Sequence, residues 1–180
     1  AARAARQAAE TRHRRHEAEL RRWGGRMPSQ RIRTLQANTR MLHQLDADLL
    51  DALDAATLDQ QRAVARWAAR RACALAGLDT VDWIAAGLAA LERGDPLPPP
   101  LDDEAAAWNR LWADPGVPAT TVTAPDGQPN WSQQALAFPA LFAAAKPDPL
   151  VAAVDAIATT AWAHGPDHPG FLAEARRRLP

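Results

Sequence analysis

Cysteine is almost missing from this chain of 180 residues, which holds only Cys73. A lone thiol forms no internal disulfide and builds no thiolate zinc site, so a reducing, cytoplasmic setting is the expectation. Tyrosine is absent, and lysine is reduced to Lys146 beside twenty arginines (21 basic residues less that one). With its abundant alanine, this is the composition of a high-GC genome. Arginine richness of that origin weighs less as a sign of nucleic-acid binding than the same richness elsewhere. No apolar run approaches the roughly 20 residues of a membrane span, and the N-terminus lacks the apolar core of a signal peptide. A membrane partner is therefore not expected. Because residue 1 is alanine, the natural chain is expected to begin further upstream.

Chemical motifs are scarce as well. The GxxxxGK[ST] phosphate loop and the GxGxxG fingerprint are both absent, and Ser29, Ser132 and Cys73 lack the neighbours of a nucleophile. His13 and His16 stand three apart, a spacing open to metal ligands on a helix, but the arginines around them oppose a cation. His164 and His168 flank Gly165-Pro166-Asp167, where a His with a nearby Asp could act as a general base. Asp167 is better explained as a cap ahead of Pro169. Asp102-Asp103-Glu104 reads as the acidic first turn of a helix, because no second carboxylate motif completes a divalent-cation cluster. No catalytic residue, cofactor or metal is assigned.

What the sequence does hold is sorted charge. Residues 1–40 carry eleven arginines against Glu10, Glu17 and Glu19, about +8 (11 − 3). Residues 41–180 carry ten basic and eighteen acidic side chains, about −8 (10 − 18). The net zero hides a dipolar chain, and such asymmetry points to a charged partner or to self-docking.

Periodicity places this charge on helices. Residues 2–23 have helical composition, with Glu10→Arg14 and Glu17→Arg21 as favourable i,i+4 pairs worth roughly 0.2–0.5 kcal/mol each. Large apolar residues are missing there until Leu20 and Trp23, so this first helix has no core face of its own. Gly24-Gly25 and Pro28 end it, and Ser29 can cap the next helix. Residues 30–55 predict one amphipathic helix, with Ile32, Leu35, Leu42, Leu45, Leu49 and Leu53 in a single stripe. Thr57 with Gln60 resembles a capping box opening a helix over 58–76. Thr80 is expected to cap a helix over 81–93 that Gly94 closes, and Asp102 or Asp103 to cap a short one carrying Trp108 and Trp112. Asn130 is expected to cap a helix that Pro139 splits. Asp148-Pro149 opens another over 149–163, and a last one runs over 169–179.

These elements predict an all-α fold, six to eight helices around one core, with a long basic N-terminal helix and room for one short β-hairpin near 119–131. Residues 1–28 are expected to form a basic helical extension and residues 29–180 a single helical domain. The large core side chains are expected to be leucines, valines, isoleucines and tryptophans, because alanine buries little area.

Partner contact is the functional expectation. Arg12, Arg14, Arg15, Arg21 and Arg22 line the first helix, and Trp23 stands at its end. Arg62, Arg66 and Arg70 recur every four residues as a ridge, whose plain reading is a wet face with Asp59 pairing Arg62 or Arg66. Trp67 lies off the apolar stripe of its helix. With Trp23 it is the expected aromatic anchor, since tryptophan is enriched at interface hot spots. The chain thus reads as a non-enzymatic helical protein–protein interaction module: an accessory, adaptor or immunity-like subunit, or a self-associating unit. Its basic helix would meet an acidic surface on a partner protein, its own chain or a sister subunit. The alternative is a nucleic-acid-binding protein using the Arg-rich 1–40 segment. A second alternative is a small enzyme with a pocket formed by the 114–130 and 164–168 loops.

Overall fold

The computed structural model describes residues 2–179 and is all-α apart from one two-stranded antiparallel hairpin. Helix α1 (Ala2–Arg22) is succeeded by α2 (Gln30–Thr34), α3 (Thr39–Leu45), α4 (Ala47–Ala55) and α5 (Leu58–Leu75). A 3-10 turn (Leu78–Thr80) leads to α6 (Asp82–Arg93), α7 (Glu104–Ala113) and the strands β1 (Thr121–Val122) and β2 (Trp131–Ser132). The chain ends in α8 (Gln133–Ala137), α9 (Pro139–Ala144), α10 (Pro149–His164), a second 3-10 turn (Gly165–Asp167) and α11 (His168–Arg176).

There are more helical segments than expected because the helix foreseen over residues 30–55 is broken twice. The Asn38 N–H, which a continuous helix would bond to the carbonyl four residues back, donates instead to the Asp155 carboxylate at 2.7 Å. Asp46 has extended backbone (φ −162) and ends α3 while its carboxylate caps α4, accepting the Leu49 N–H at 2.9 Å. The apolar stripe survives both breaks, since Ile32, Leu42, Leu49 and Leu53 are all fully buried.

Several local signals act as read. Ser29 accepts the Ile32 N–H at 3.1 Å, and both bonds of the Thr57–Gln60 capping box are present at the start of α5. Gly24 closes α1 in the left-handed region (φ 62), with the Gly25 N–H donating to the Leu20 carbonyl at 2.9 Å. Two caps differ from expectation. Thr80 ends a 3-10 turn, its hydroxyl donating to the Gly77 carbonyl at 2.9 Å, so α6 begins after Val81 with no side-chain cap. Ser132 rather than Asn130 caps α8, accepting the Ala135 N–H at 3.2 Å; Asn130 sits at φ 64 in the hairpin connection.

The core is organised around α10, which buries residues on nearly every face and packs along α5. Alanine does more here than its small area suggests. Ala65, Ala68, Ala69 and Ala72 of α5 and Ala152, Ala153, Ala156 and Ala161 of α10 are fully buried. Their small side chains bring the two backbones close. The Thr160 hydroxyl of α10 lies 2.6 Å from its own Ala156 carbonyl and 3.1 Å from the Ala68 carbonyl of α5. Helix α9 packs against both, and α3, α4, α8 and α11 flank α10. Bulk is supplied on the other side by Phe138, which is fully buried and meets Trp83, Trp108 and Phe142 edge-on at centroid distances of 5.8, 5.0 and 5.2 Å.

Asp155 ties three segments together. It is 3% exposed, accepts the Asn38 N–H, and pairs at 2.5 Å with Lys146, which precedes α10. At the other end of α10 the hairpin presses on Gly165, where an added methyl would lie 2.3 Å from the Thr123 carbonyl oxygen and 2.7 Å from Val122. The Gly165 backbone also needs φ 57. Asp155→Ala is expected to cost about 1–3 kcal/mol, because it removes the acceptor of the Asn38 N–H and the partner of Lys146. A lowered urea midpoint with an unchanged m value is the readout. Gly165→Ala is expected to cost at least about 2 kcal/mol through overpacking and the positive φ, read as a fall in thermal midpoint.

Candidate interaction surface

Among the described residues helix α1 meets the body at its C-terminal end. Trp23, 6% exposed, inserts into the core and meets the buried His43 edge-on at 5.1 Å. Leu20 is half-buried, and Glu19 accepts an ion pair from Arg33 at 2.9 Å. Residues 6–18, by contrast, are exposed at every position and make no hydrogen bond or ion pair outside their own helix. Within it, Glu10 pairs with Arg14 at 4.0 Å. Glu17 pairs with His13 at 3.1 Å, not with the expected Arg21. Among the described residues Arg3, Arg6, Arg12, Arg15, Arg21 and Arg22 form no ion pair.

The arginines just after α1 behave differently. Arg26 holds Asp48 at 2.5 Å and also pairs with Asp51, while Arg31 reaches Asp54 at 3.5 Å. The guanidinium of Arg26 pulls the Asp48 carboxyl below its usual range, and the same contact raises Arg26 itself. Asp46, the remaining acid of this stretch, takes Arg176 of α11 at 2.8 Å. Helix α4 therefore has its carboxylates occupied before α1 could use them.

The ridge on α5 is spent on contacts within the chain. Arg62 donates to the carbonyls of Ala144, Lys146 and Pro147 at 3.1, 2.8 and 2.8 Å, closing the C-terminal end of α9. The expected pairing with Asp59 is replaced by these bonds. Arg66 reaches the Glu92 carbonyl at 3.4 Å, and Arg70 pairs with the Glu92 carboxylate at 3.1 Å. Arg62 and Arg66 line one wall of a cleft of about 500 Å³ whose floor includes Leu91 and Leu101. Trp67 is likewise engaged: it stacks on Phe171 at 5.2 Å, Phe171 stacks on His164 at 4.8 Å, and the Arg178 guanidinium covers Trp67 at 4.4 Å. The ridge is thus engaged within the body, and the two expected tryptophan anchors are turned into the fold.

Other tryptophans take the exposed positions. Trp112 is 62% exposed, stacked at 5.9 Å on the half-buried Trp108, and Trp131 is 41% exposed on β2. The i,i+4 spacing of Trp108 and Trp112 signals their stacking, but nothing in it marks which ring faces outward. A second cleft, of about 410 Å³, opens where α1 meets α3 and is lined by Arg22, Arg33, Arg40 and Thr39.

The loops considered for catalysis close on each other at Gly165, with the His168 Nδ1 2.8 Å from the Gly165 carbonyl oxygen. Burial pushes the Cys73 thiol up to about 12, far from a reactive thiolate. The Gly116 N–H and then the Trp83 indole hold Asp114 below the usual carboxylate range. Among the described residues no three His, Cys, Asp or Glu side chains group as metal ligands, and no helix is long and apolar enough to cross a membrane. No family model matches the chain, and neither a curated protein nor a solved structure does.

Burial, more than the nearby Arg71, lowers the His164 pKa from 6.5, and its Nε2 is buried without a partner. Below pH 6.5 the unfolded chain takes up a proton at this residue that the folded chain resists. The stabilisation is thus present above that pH and is lost as pH falls toward the lower folded value. Denaturant midpoints measured from pH 7.5 to 5 are expected to fall less steeply for His164→Phe, which keeps the stacked ring and removes the titration.

Proposed function

We propose that this protein is a non-enzymatic interaction module that docks on an anionic surface of another macromolecule through α1. The observation that carries the reading is the exposure of residues 6–18 on every face. A helix with no apolar stripe gains nothing from its own core, and the nearby carboxylates of α4 and of its cap Asp46 are already taken by Arg26, Arg31 and Arg176. Residues 1–22 carry about +4 (seven arginines less three glutamates). Such charge sets orientation and association rate.

Protein–protein docking, on an acidic partner or a sister chain, is one way to meet this charge, and Trp112 and Trp131 on the body offer it apolar anchors. Nucleic-acid docking is the other, and it needs only the arm. Both readings place the contact on Arg12, Arg14, Arg15, Arg21 and Arg22.

The full chain and a chain lacking residues 1–18 are to be compared by light scattering for self-association and by titration with polyglutamate and with duplex DNA. About 50 and 300 mM salt bracket the screening of exposed charge. The full chain is expected to engage itself or one polyanion at low salt and to release it at high salt. The shortened chain, which keeps Leu20 and Trp23, is expected to melt at the same temperature and bind nothing. A full chain that stays single and unbound throughout, or a shortened chain that binds equally well, sinks the reading.

A further inference from the structure

We infer that the anionic macromolecule is duplex DNA, with α1 lying in the major groove; this rests on the docking role of α1 proposed above. Six of the seven arginines of α1 stand around the helix in two groups, with Glu19 within one and Glu10 and Glu17 beside the other, and Arg6 lies outside both. At 100° per residue, Arg12, Arg15 and Arg22 share one flank and Arg3, Arg14 and Arg21 another, with the two flanks about 125° apart. Between them runs a strip holding Gln7, Thr11 and Ala18, all exposed. A flat acidic surface, of protein or of lipid, can neutralise one flank and leaves the other in water. A groove with anionic walls on both sides meets both. The major groove of B-DNA is about 12 Å wide and admits an α-helix, whose diameter with side chains is roughly 10–12 Å. The deep, narrow major groove of A-form RNA does not.

Three further features agree with this occupant. The arm offers a protein interface little apolar anchor, because Trp23 is buried in the body and Leu20, half-buried, is its one large apolar side chain. It has no Phe, Tyr or Trp exposed as a stacking platform of the kind a single-strand groove uses, its only exposed rings among the described residues being the imidazoles of His13 and His16. Its strip of short and polar residues lets the helix sit close to base edges, where glutamine pairs with adenine and threonine meets the thymine methyl. At the base of α1, Arg22 continues into the cleft of about 410 Å³ with Arg33 and Arg40. Arg33 is held by Glu19, whereas Arg40 is exposed and has no ion pair among the described residues. This cleft is placed to take a backbone phosphate at the rim of the groove, where a guanidinium fork binds it with two parallel bonds.

The test is fluorescence anisotropy of the full chain with a labelled duplex DNA of about 20 base pairs across about 50 to 200 mM salt. Single-stranded DNA, duplex RNA, polyglutamate and anionic phospholipid vesicles are run in parallel. Duplex DNA is expected to bind tightest. The triple variant Arg12→Gln, Arg15→Gln, Arg22→Gln is expected to weaken binding at least about ten-fold at low salt and to flatten the log–log salt slope by about 2.7, three phosphates at 0.9 each. These residues are exposed, so the variant should melt with the parent. Tighter binding to polyglutamate, vesicles, single strand or duplex RNA than to duplex DNA overturns the inference while leaving the docking role of α1 standing. So does a triple variant that binds duplex DNA like the parent. Failure to bind any of the five overturns the inference and, if the chain also stays single, removes the docking role with it.

Discussion

The close approach of α5 and α10 is the constraint to which every outer layer of the molecule is fitted. Alanines on both helices allow the Thr160 hydroxyl to lie 3.1 Å from a carbonyl of the facing helix. A seam of such small residues gains much of its stability from dispersion between tightly packed atoms rather than from area alone. It also leaves little bulk for the outer layers to grip. The structure meets this with large side chains set away from the seam: Phe138 with Trp83, Trp108 and Phe142 on one side, and the stacked Arg178, Trp67, Phe171 and His164 on another.

Charge is settled in the same layered way. The body pairs its own ions locally, often across elements distant in sequence. Asp46 takes Arg176, Asp155 takes Lys146 and the Asn38 N–H, and Glu174 takes Arg71 at 3.3 Å. The basic segment is divided at Trp23 by this pairing. Beyond it, Arg26, Arg31 and Arg33 find carboxylates; before it, most of the arginines of α1 do not. The dipolar character visible in the composition thus becomes a geometric one: a body of about −4 (14 − 18) that pairs many of its own ions, and a cationic rod of about +4 fixed to it by one buried tryptophan and a glycine turn.

Fold class was largely legible. Capping signals at Ser29, Thr57, Asp103 and Asp148 and the helix-ending glycines at 24, 77, 94 and 165 act over a few residues of chain, so a local pattern is enough to place them. The candidate site was legible only in part. The absence of an apolar stripe on α1 is a local property and survives in the structure, with residues 6–18 exposed. The fates of Trp23, Trp67 and the Arg62 ridge were not, because each depends on partners far along the chain: His43, Phe171 with Arg178, and the end of α9.

By itself the sequence determined that the chain is helical, where most helices begin and end, and that its first helix has no core to join. These features come from hydrogen bonding, φ preference and periodicity within a turn or two. Only the tertiary structure decided where residues 30–55 break, which tryptophans are covered, and which arginines keep their charge for something else. Those outcomes turn on competition for a buried acceptor or an occupied carboxylate. Such a competition is resolved only when segments more than a hundred residues apart, like Asn38 and Asp155, are brought to 2.7 Å.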